Sequence, residues 1–265
     1  MTPEESLRLG NVDDALAALA EKVRSAPADP ALRRFLFQLL CVVGKWEKAL
    51  TQLQVLAEMD SDSMLLAEIF RPVVACEMIR AEVFKGTRSP LIFGEPMEWI
   101  GQLVQANTMS AAGQFKPARE LREQALNAAP AVAGTINGEA FEWIGDADSR
   151  LGPVMEAVID GKYFWVPFER IARLSVERPS DLRDLVWIHA KFGWTNGGEA
   201  AALLPVRYPG SEEAADGGLR LARKTEWLER EEETFFGLGQ KMLATDQGEF
   251  PLLEVRTVEM SLNAP

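Results

Sequence analysis

The sequence predicts an α+β chain built in two parts. A helical repeat covers about residues 1–133. A small α+β domain with a curved antiparallel sheet or partial barrel follows over about 134–265. Three observations predict this. A glycine-led block recurs in the first half at a spacing near 34 residues. Asp160-Gly161 stands between two aromatic and β-branched runs, which is a strong hairpin signal. Charge is also uneven: 14 Lys+Arg against 17 Asp+Glu up to residue 133, then 14 against 23.

Taken in order, the repeat comes first. Blocks beginning at Gly10, Gly44 and Gly113 align on one another; Gly44 lies 34 residues after Gly10, and Gly113 lies 69 after Gly44, close to two periods. Each block places an apolar residue two positions after its glycine (Val12, Trp46, Phe115) and a small one five after it (Ala15, Ala49, Ala118). Pro27 and Pro130 close the first and third blocks. Glycine suits the turn between helices, alanine lets two helices approach closely, and proline ends the second helix. This pattern is that of a tetratricopeptide (TPR)-like repeat, whose stacked units bury one another's apolar faces and leave surfaces for a peptide or helix. Residues 65–84 stand where a fourth block has degenerated. They read as a long apolar helix broken or kinked near Pro72. GTRSPLIFGEP then predicts a loop that carries Ile92 and Phe93 onto another surface, and residues 97–112 begin the next helix pair.

The stretch 141–168, FEWIGDADSRLGPVMEAVIDGKYFWVPF, organises the second half around its hairpin. Beyond it, residues 168–176 fit a short helix stopped before Pro179. RDLVWIHAKFGW reads as a strand, TNGG as a turn, and 200–208 as another strand. GSEEAADGG is a loop or weak helix. Residues 240–245 and 252–258 form a second hairpin across Asp246-Gln247-Gly248.

Function classes narrow from the totals. A net charge of −12, concentrated in the second half, disfavours nucleic acid and suits a basic protein partner. No apolar run reaches the ~20 residues of a membrane span. MTPEESLRLG has no basic or apolar signal region, so a cytoplasmic protein is expected. Cys41 and Cys76 read as core residues, with no disulfide framework or metal cluster. His189, the only histidine, has no nucleophile elbow to serve, and Gly237-Leu238-Gly239 lacks the third glycine of a dinucleotide fingerprint. No cofactor is expected. Glu142, Asp146 and Asp148 could serve acid–base or divalent-metal chemistry, and a metal-dependent hydrolase centred on Asp146, Asp148 and Arg150 is the alternative reading. Structurally, the two aspartates suit a turn or cap, with Arg150 or Arg183 pairing one of them bidentately. Trp143, Trp165 and Trp187 are expected in the core, while the acidic run 229–233 reads as a solvated face.

Several stretches together carry a family resemblance. They are Arg33-Arg34-Phe35, Leu39-Leu40-Cys41, Cys76-Glu77, Val83-Phe84-Lys85-Gly86, and Gly94-Glu95-Pro96 with Trp99. Residues 141–168, Arg183-Asp184-Leu185-Val186-Trp187, Arg207-Tyr208-Pro209-Gly210-Ser211, Thr225-Glu226-Trp227 and Gly239-Gln240-Lys241-Met242 with Thr245-Asp246 complete the set. Across nearly the whole chain this resembles the ImpE family, also called TagJ or SciE, accessory proteins of type VI secretion. The resemblance implies a non-enzymatic adaptor that binds the small sheath subunit (TssB/VipA-like) and bears on sheath handling by the AAA+ ATPase ClpV. It marks Trp99, Trp143, Asp146, Asp148, Arg150, Arg183, Asp184, Trp187, Arg207, Tyr208 and Trp227 as residues for partner binding or for the structural motif.

Overall fold

In the computed structural model, residues 1–59, 61–231 and 234–261 are described. Among the described residues, seven helices fill the first half: α1 (Pro3–Arg8), α2 (Val12–Ser25), α3 (Pro30–Val42), α4 (Trp46–Ala57), α5 (Ser61–Phe84), α6 (Glu98–Ala111) and α7 (Phe115–Ala128). Their starts follow local chemistry. Thr2 and Glu5 form a capping box on α1, and Asp29 accepts the amides of Ala31 and Leu32 ahead of α3, whose first residue is Pro30. Gly10, Gly44 and Gly113 follow α1, α3 and α6 with φ of 81°, 64° and 75°, a left-handed conformation that favours glycine. Ala15, Ala49 and Ala118 are fully buried, as close helix approach requires.

Helix α5 is not broken at Pro72: Ser61–Phe84 is one helix of 24 residues with the proline inside it. Phe70, Val73, Val74, Cys76 and Val83 are all buried along it, and that packing offsets the hydrogen bond proline removes. The loop after α5 behaves as the sequence predicts. Leu91–Ile92 forms β1, pairing in parallel with a strand of the sheet, and Phe93 stacks 4.1 Å from the Trp194 ring.

The strands follow: β2 (Gly134–Ile136), β3 (Glu139–Phe141), β4 (Ile144–Asp146), β5 (Val154–Ile159), β6 (Lys162–Pro167), β7 (Ile171–Val176), β8 (Trp187–Trp194) and β9 (Glu199–Pro205). After a four-residue helix α8 (Gly217–Arg220) come β10 (Thr225–Arg230), β11 (Thr234–Gly239), β12 (Met242–Thr245), β13 (Gly248–Pro251) and β14 (Thr257–Met260). Nine strands make one sheet in the order β1-β6-β5-β9-β8-β7-β14-β2-β3, antiparallel except at β1. The order is open, with β1 and β3 at its edges, so no pairing among the described residues closes a barrel. Strands β13, β12 and β4 form a second sheet, and β10–β11 a hairpin.

The Asp160-Gly161 hairpin forms as predicted. Ile159 pairs with Lys162, and both turn residues have positive φ (48° and 70°), as a two-residue type I′ turn demands. Two expectations are corrected. Residues 168–176 make a single 3-10 turn over Phe168–Arg170 and then β7, because Ile171, Leu174 and Val176 are buried against neighbouring strands. A short apolar run fits either period, and sheet pairing decided this one. The second hairpin is also shorter than expected. Strand β12 turns back as β13 at residue 248, while Thr257–Met260 leaves to insert between β7 and β2. Residues 232 and 233 of the acidic run lie outside the described residues.

Strand β5 is buried on both faces and divides two cores. Val154 and Val158 join the helices in one; Met155, Ala157 and Ile159 join the far side of the sheet in the other. The first core runs without interruption from Leu7 through Phe70 to Trp165 and Trp187. Where helices give way to strands along the chain, the packed interior therefore continues. At the seam, a Cβ on Gly161 would lie 2.8 Å from the Pro72 side chain of α5. Gly161→Ala is therefore expected to cost roughly 2–4 kcal/mol, combining a left-handed alanine with overpacking. Gly10→Ala, whose Cβ would meet open space, should cost only about 1 kcal/mol. Urea denaturation of both variants checks this ordering.

Candidate functional site: a buried ionic seam

The middle helix-facing position of β5 is charged. Glu156 lies between Val154 and Val158 and is 2% exposed. Arg80 of α5 donates to both its oxygens, Nε to Oε1 at 2.6 Å and Nη2 to Oε2 at 3.0 Å. Lys241, just before β12, brings Nζ to 2.8 Å from Oε2. The Tyr163 hydroxyl on β6 donates to Oε1 at 2.6 Å and accepts from Trp165 Nε1 at 2.8 Å. A lone carboxylate would not stay ionised here, since desolvation costs several kcal/mol per ion. Burial pushes the Glu156 pKa up, but the Arg80 and Lys241 charges outweigh it and hold the carboxyl well below its ordinary range.

From this pair the seam spreads in two directions. Toward the helices, Arg80 Nη1 lies 3.4 Å from Glu77, whose Oε1 accepts from Trp187 Nε1 at 2.7 Å. Burial raises the Glu77 pKa, with the Arg80 charge opposing it. Arg80 Nη2 also donates to the Arg207 carbonyl at 2.7 Å. The Arg207 guanidinium in turn donates to the carbonyls of Cys41 and Val42, closing the C-terminal end of α3, and to that of Arg220.

Toward the second sheet, Lys241 Nζ lies 2.5 Å from Asp146 Oδ2. The other Asp146 oxygen accepts from the Tyr208 hydroxyl at 3.1 Å and the Asp148 amide at 2.9 Å. Burial pushes the Asp146 pKa up, and Lys241 opposes the shift. Asp148 receives Arg150 bidentately at 2.8 and 2.6 Å, plus the Gly237 amide at 2.8 Å. The Arg150 guanidinium lies 4.9 Å from the Phe84 ring centroid and 4.3 Å from that of Phe236. Four buried cations (Arg80, Arg150, Arg207, Lys241) thus face four buried carboxylates (Glu77, Asp146, Asp148, Glu156).

The sequence-marked residues divide accordingly. Asp146, Asp148, Arg150, Trp187, Arg207 and Tyr208 converge on the seam, and Trp227 lies 5.5 Å from the Tyr208 ring. Arg150, not Arg183, is the bidentate partner of Asp148. Arg183 lies 4.8 Å above the Phe70 ring, in a 3-10 turn against the helices, and Asp184 accepts the amides of Ser180 and Asp181 to cap that turn. Trp99 is buried in α6, apart from the seam. Trp143 is 44% exposed, which corrects its expected place in the core. It sits at the bend where the chain leaves β3 for β4, a backbone step held by Asp246 through the Glu142 amide at 2.7 Å, and outside a strand its side chain has no inward register to occupy. Glu142 is exposed and apart from both aspartates.

Sequence reasoning missed Glu77, Arg80, Glu156, Tyr163 and Lys241 as site residues. The available signal was charge inside two apolar runs: Arg80, with Glu82, in MIRAEVF, and Glu156 alone in VMEAVI. Chemically, each carboxylate of the seam is met by a cation and hydrogen-bond donors. Among the described residues no three His, Cys, Asp or Glu side chains are grouped to hold a metal ion. A cavity of about 220 Å³ reaches Glu77 and Arg80, but not Asp146 or Asp148.

Comparison with known proteins places the chain among relatives. The family described as ImpE protein matches residues 138–259. The type VI secretion system accessory component TagJ of Pseudomonas aeruginosa strain PAO1 is 47% identical over 259 residues, 98% of this chain and 91% of TagJ. The crystal structure of protein VPA1032 from Vibrio parahaemolyticus superposes with a TM-score of 0.90 at 25% identity, covering 98% of this chain and 97% of that one.

Removing Glu156 tests the seam. Glu156→Gln leaves Arg80 and Lys241 without their shared counter-charge and should cost about 3–5 kcal/mol at pH 7. Because the folded-state pKa of Glu156 is depressed, its contribution is complete above the ordinary value near 4.5 and is lost as pH falls toward the folded value. Denaturation of parent and variant at stepped pH should therefore show their stability gap narrowing below pH 4.5.

Proposed function

The chain belongs to the ImpE family, and from that premise we propose that it is a non-enzymatic adaptor of the type VI secretion apparatus. It binds the small sheath subunit and, through that contact, bears on how the ClpV ATPase handles the sheath. Its place of action is the cytoplasm. The observation that carries this reading is the near-complete coverage of a type VI accessory component at 47% identity. The chemistry of the seam supports it. A hydrolase needs a carboxylate poised to exchange a proton or hold an ion within reach of substrate. Asp146 and Asp148 instead spend their lone pairs on Lys241, Tyr208, Arg150 and backbone amides. Such a network fixes shape.

The TPR-like helical part, about residues 1–133, supplies the partner surface on this reading, and the part from 134 onward braces it. Co-purification of the full chain with the small sheath subunit and with ClpV tests the proposal, alongside calorimetry with Mg²⁺, Mn²⁺ and Zn²⁺. Expected are a stoichiometric complex with the sheath subunit and no heat from any metal. A chain that ignores the sheath subunit and binds a metal tightly would replace the adaptor with the hydrolase centred on Asp146 and Asp148.

A further inference from the structure

The chain between β9 and β10 crosses the helical half, and its contacts follow the repeat. At one end, the Arg207 guanidinium donates to the carbonyls of Cys41 and Val42, the last two residues of α3. At the other, Arg223 donates to those of Leu7 and Arg8, the last two of α1, at 2.9 and 3.0 Å. Leu7 and Cys41 are 34 residues apart, as are Arg8 and Val42, so both arginines cap equivalent positions of the repeat. The glycine turns that follow these helices are met as well. A Cβ on Gly44 would lie 2.6 Å from Glu212 Cγ, and a Cβ on Gly217 would collide with the Gly10 carbonyl. One segment therefore holds first the α3–α4 turn and then the α1–α2 turn.

The two ends of this segment differ in depth. Arg207 is buried, and its carbonyl receives Arg80 of the seam at 2.7 Å. Arg223 is exposed, and the Arg220 guanidinium reaches Asp13 of α2 at 2.9 Å, where the Asp13 side chain is 77% exposed. The aim of these outer arginines is still fixed. Arg220 Nε donates to the Ala214 carbonyl at 2.6 Å. Ala222, just after α8, is held left-handed (φ 51°) and the Arg223 amide closes on the Gly218 carbonyl at 2.9 Å, so the chain reverses into Arg223. Hydrogen bonds at the surface open at lower free energy than those in a packed interior.

We propose that residues 207–223 are a two-stage clamp on the helical repeat. The inner stage, Arg207 and Glu212, fixes the α3–α4 turn to the ionic seam. The outer stage, Gly217, Arg220 and Arg223, holds α1–α2 and releases by itself, so that this first helix pair opens as a unit while the remaining helices and the sheet stay folded. A groove of about 530 Å³ lies between α2 and α4, and the outer stage sets its width. The clamp belongs to the fold and does not depend on which partner the chain takes.

Amide hydrogen exchange on the full chain tests the clamp. Arg220→Ala/Arg223→Ala should speed exchange of α1 and α2 at least about tenfold, the scale of losing charge-assisted hydrogen bonds, with α3, α4 and α5 unchanged. Gly217→Val, which drives a side chain into the Gly10 carbonyl without removing a charge, should do the same. Spin labels at Lys22→Cys and Gln54→Cys, exposed positions on α2 and α4, should report one narrow distance in the parent and a broadened one in either clamp variant. Cys41 and Cys76 are buried and stay unlabelled. Arg88→Ala/Arg173→Ala, which breaks two exposed ion pairs elsewhere, should alter neither readout. Parent-like exchange and distances in both clamp variants would overturn the proposal. Equal acceleration from α1 through α5 would also overturn it, because the chain would then be opening globally. Faster exchange of α1 and α2 in the Arg88/Arg173 variant would show that the pair opens without regard to the clamp, and the proposal would be wrong.

Discussion

A carboxylate placed in the middle of a strand buried on both faces is the constraint on which the rest depends. Glu156 can remain ionised there only if cations come to it, and the nearest source on the helix side is Arg80 of α5. The pairing therefore fixes where α5 lies across the sheet. It also draws Lys241 inward from the chain just ahead of β12, which brings the three-stranded sheet against the same point. Replacing such a pair with apolar residues can leave stability unchanged or better, so its contribution is to position elements as much as to hold them.

The aromatic hydrogen-bond donors extend the same logic. Trp165, Tyr163 and Trp187 each give a polar hydrogen to the seam while their rings fill the core that continues into the helices. Trp187 also lies 5.9 Å from the Trp46 ring and 6.0 Å from Phe70, so one side chain joins α4, α5 and β8. Arg207 closes α3 in the same manner, and that helix is thereby referenced to the sheet. An adaptor gains from this, because a preorganised surface spends less of its binding energy on ordering itself.

Legibility in the sequence followed range. Features written within a few residues were readable: the Asp160-Gly161 turn, the glycines that end α1, α3 and α6, and the loop that delivers Ile92 and Phe93. Arg150, two residues from Asp148, was readable for the same reason as one of two candidate partners, the other being Arg183. The seam was only half visible, since Arg80 and Glu156 are 76 positions apart. A charge inside an apolar run hints at burial, but nothing local says which distant charge it will meet. Residues 168–176 show the other limit, where an apolar run too short to declare its period was decided by its neighbours in the sheet. Trp143 shows a third, because residue type suggests burial but register assigns it, and a bend has no register.

The central claim is that the ionic seam makes helices and sheet one cooperative unit. Native-state hydrogen exchange across a series of low urea concentrations measures this most directly, by comparing the amides of α5 with those of β5 and β6. Equal opening free energies for the three elements, matching that of global unfolding, are the predicted result. Exchange of α5 through a separate opening of much lower free energy, with the sheet still protected, would contradict the account.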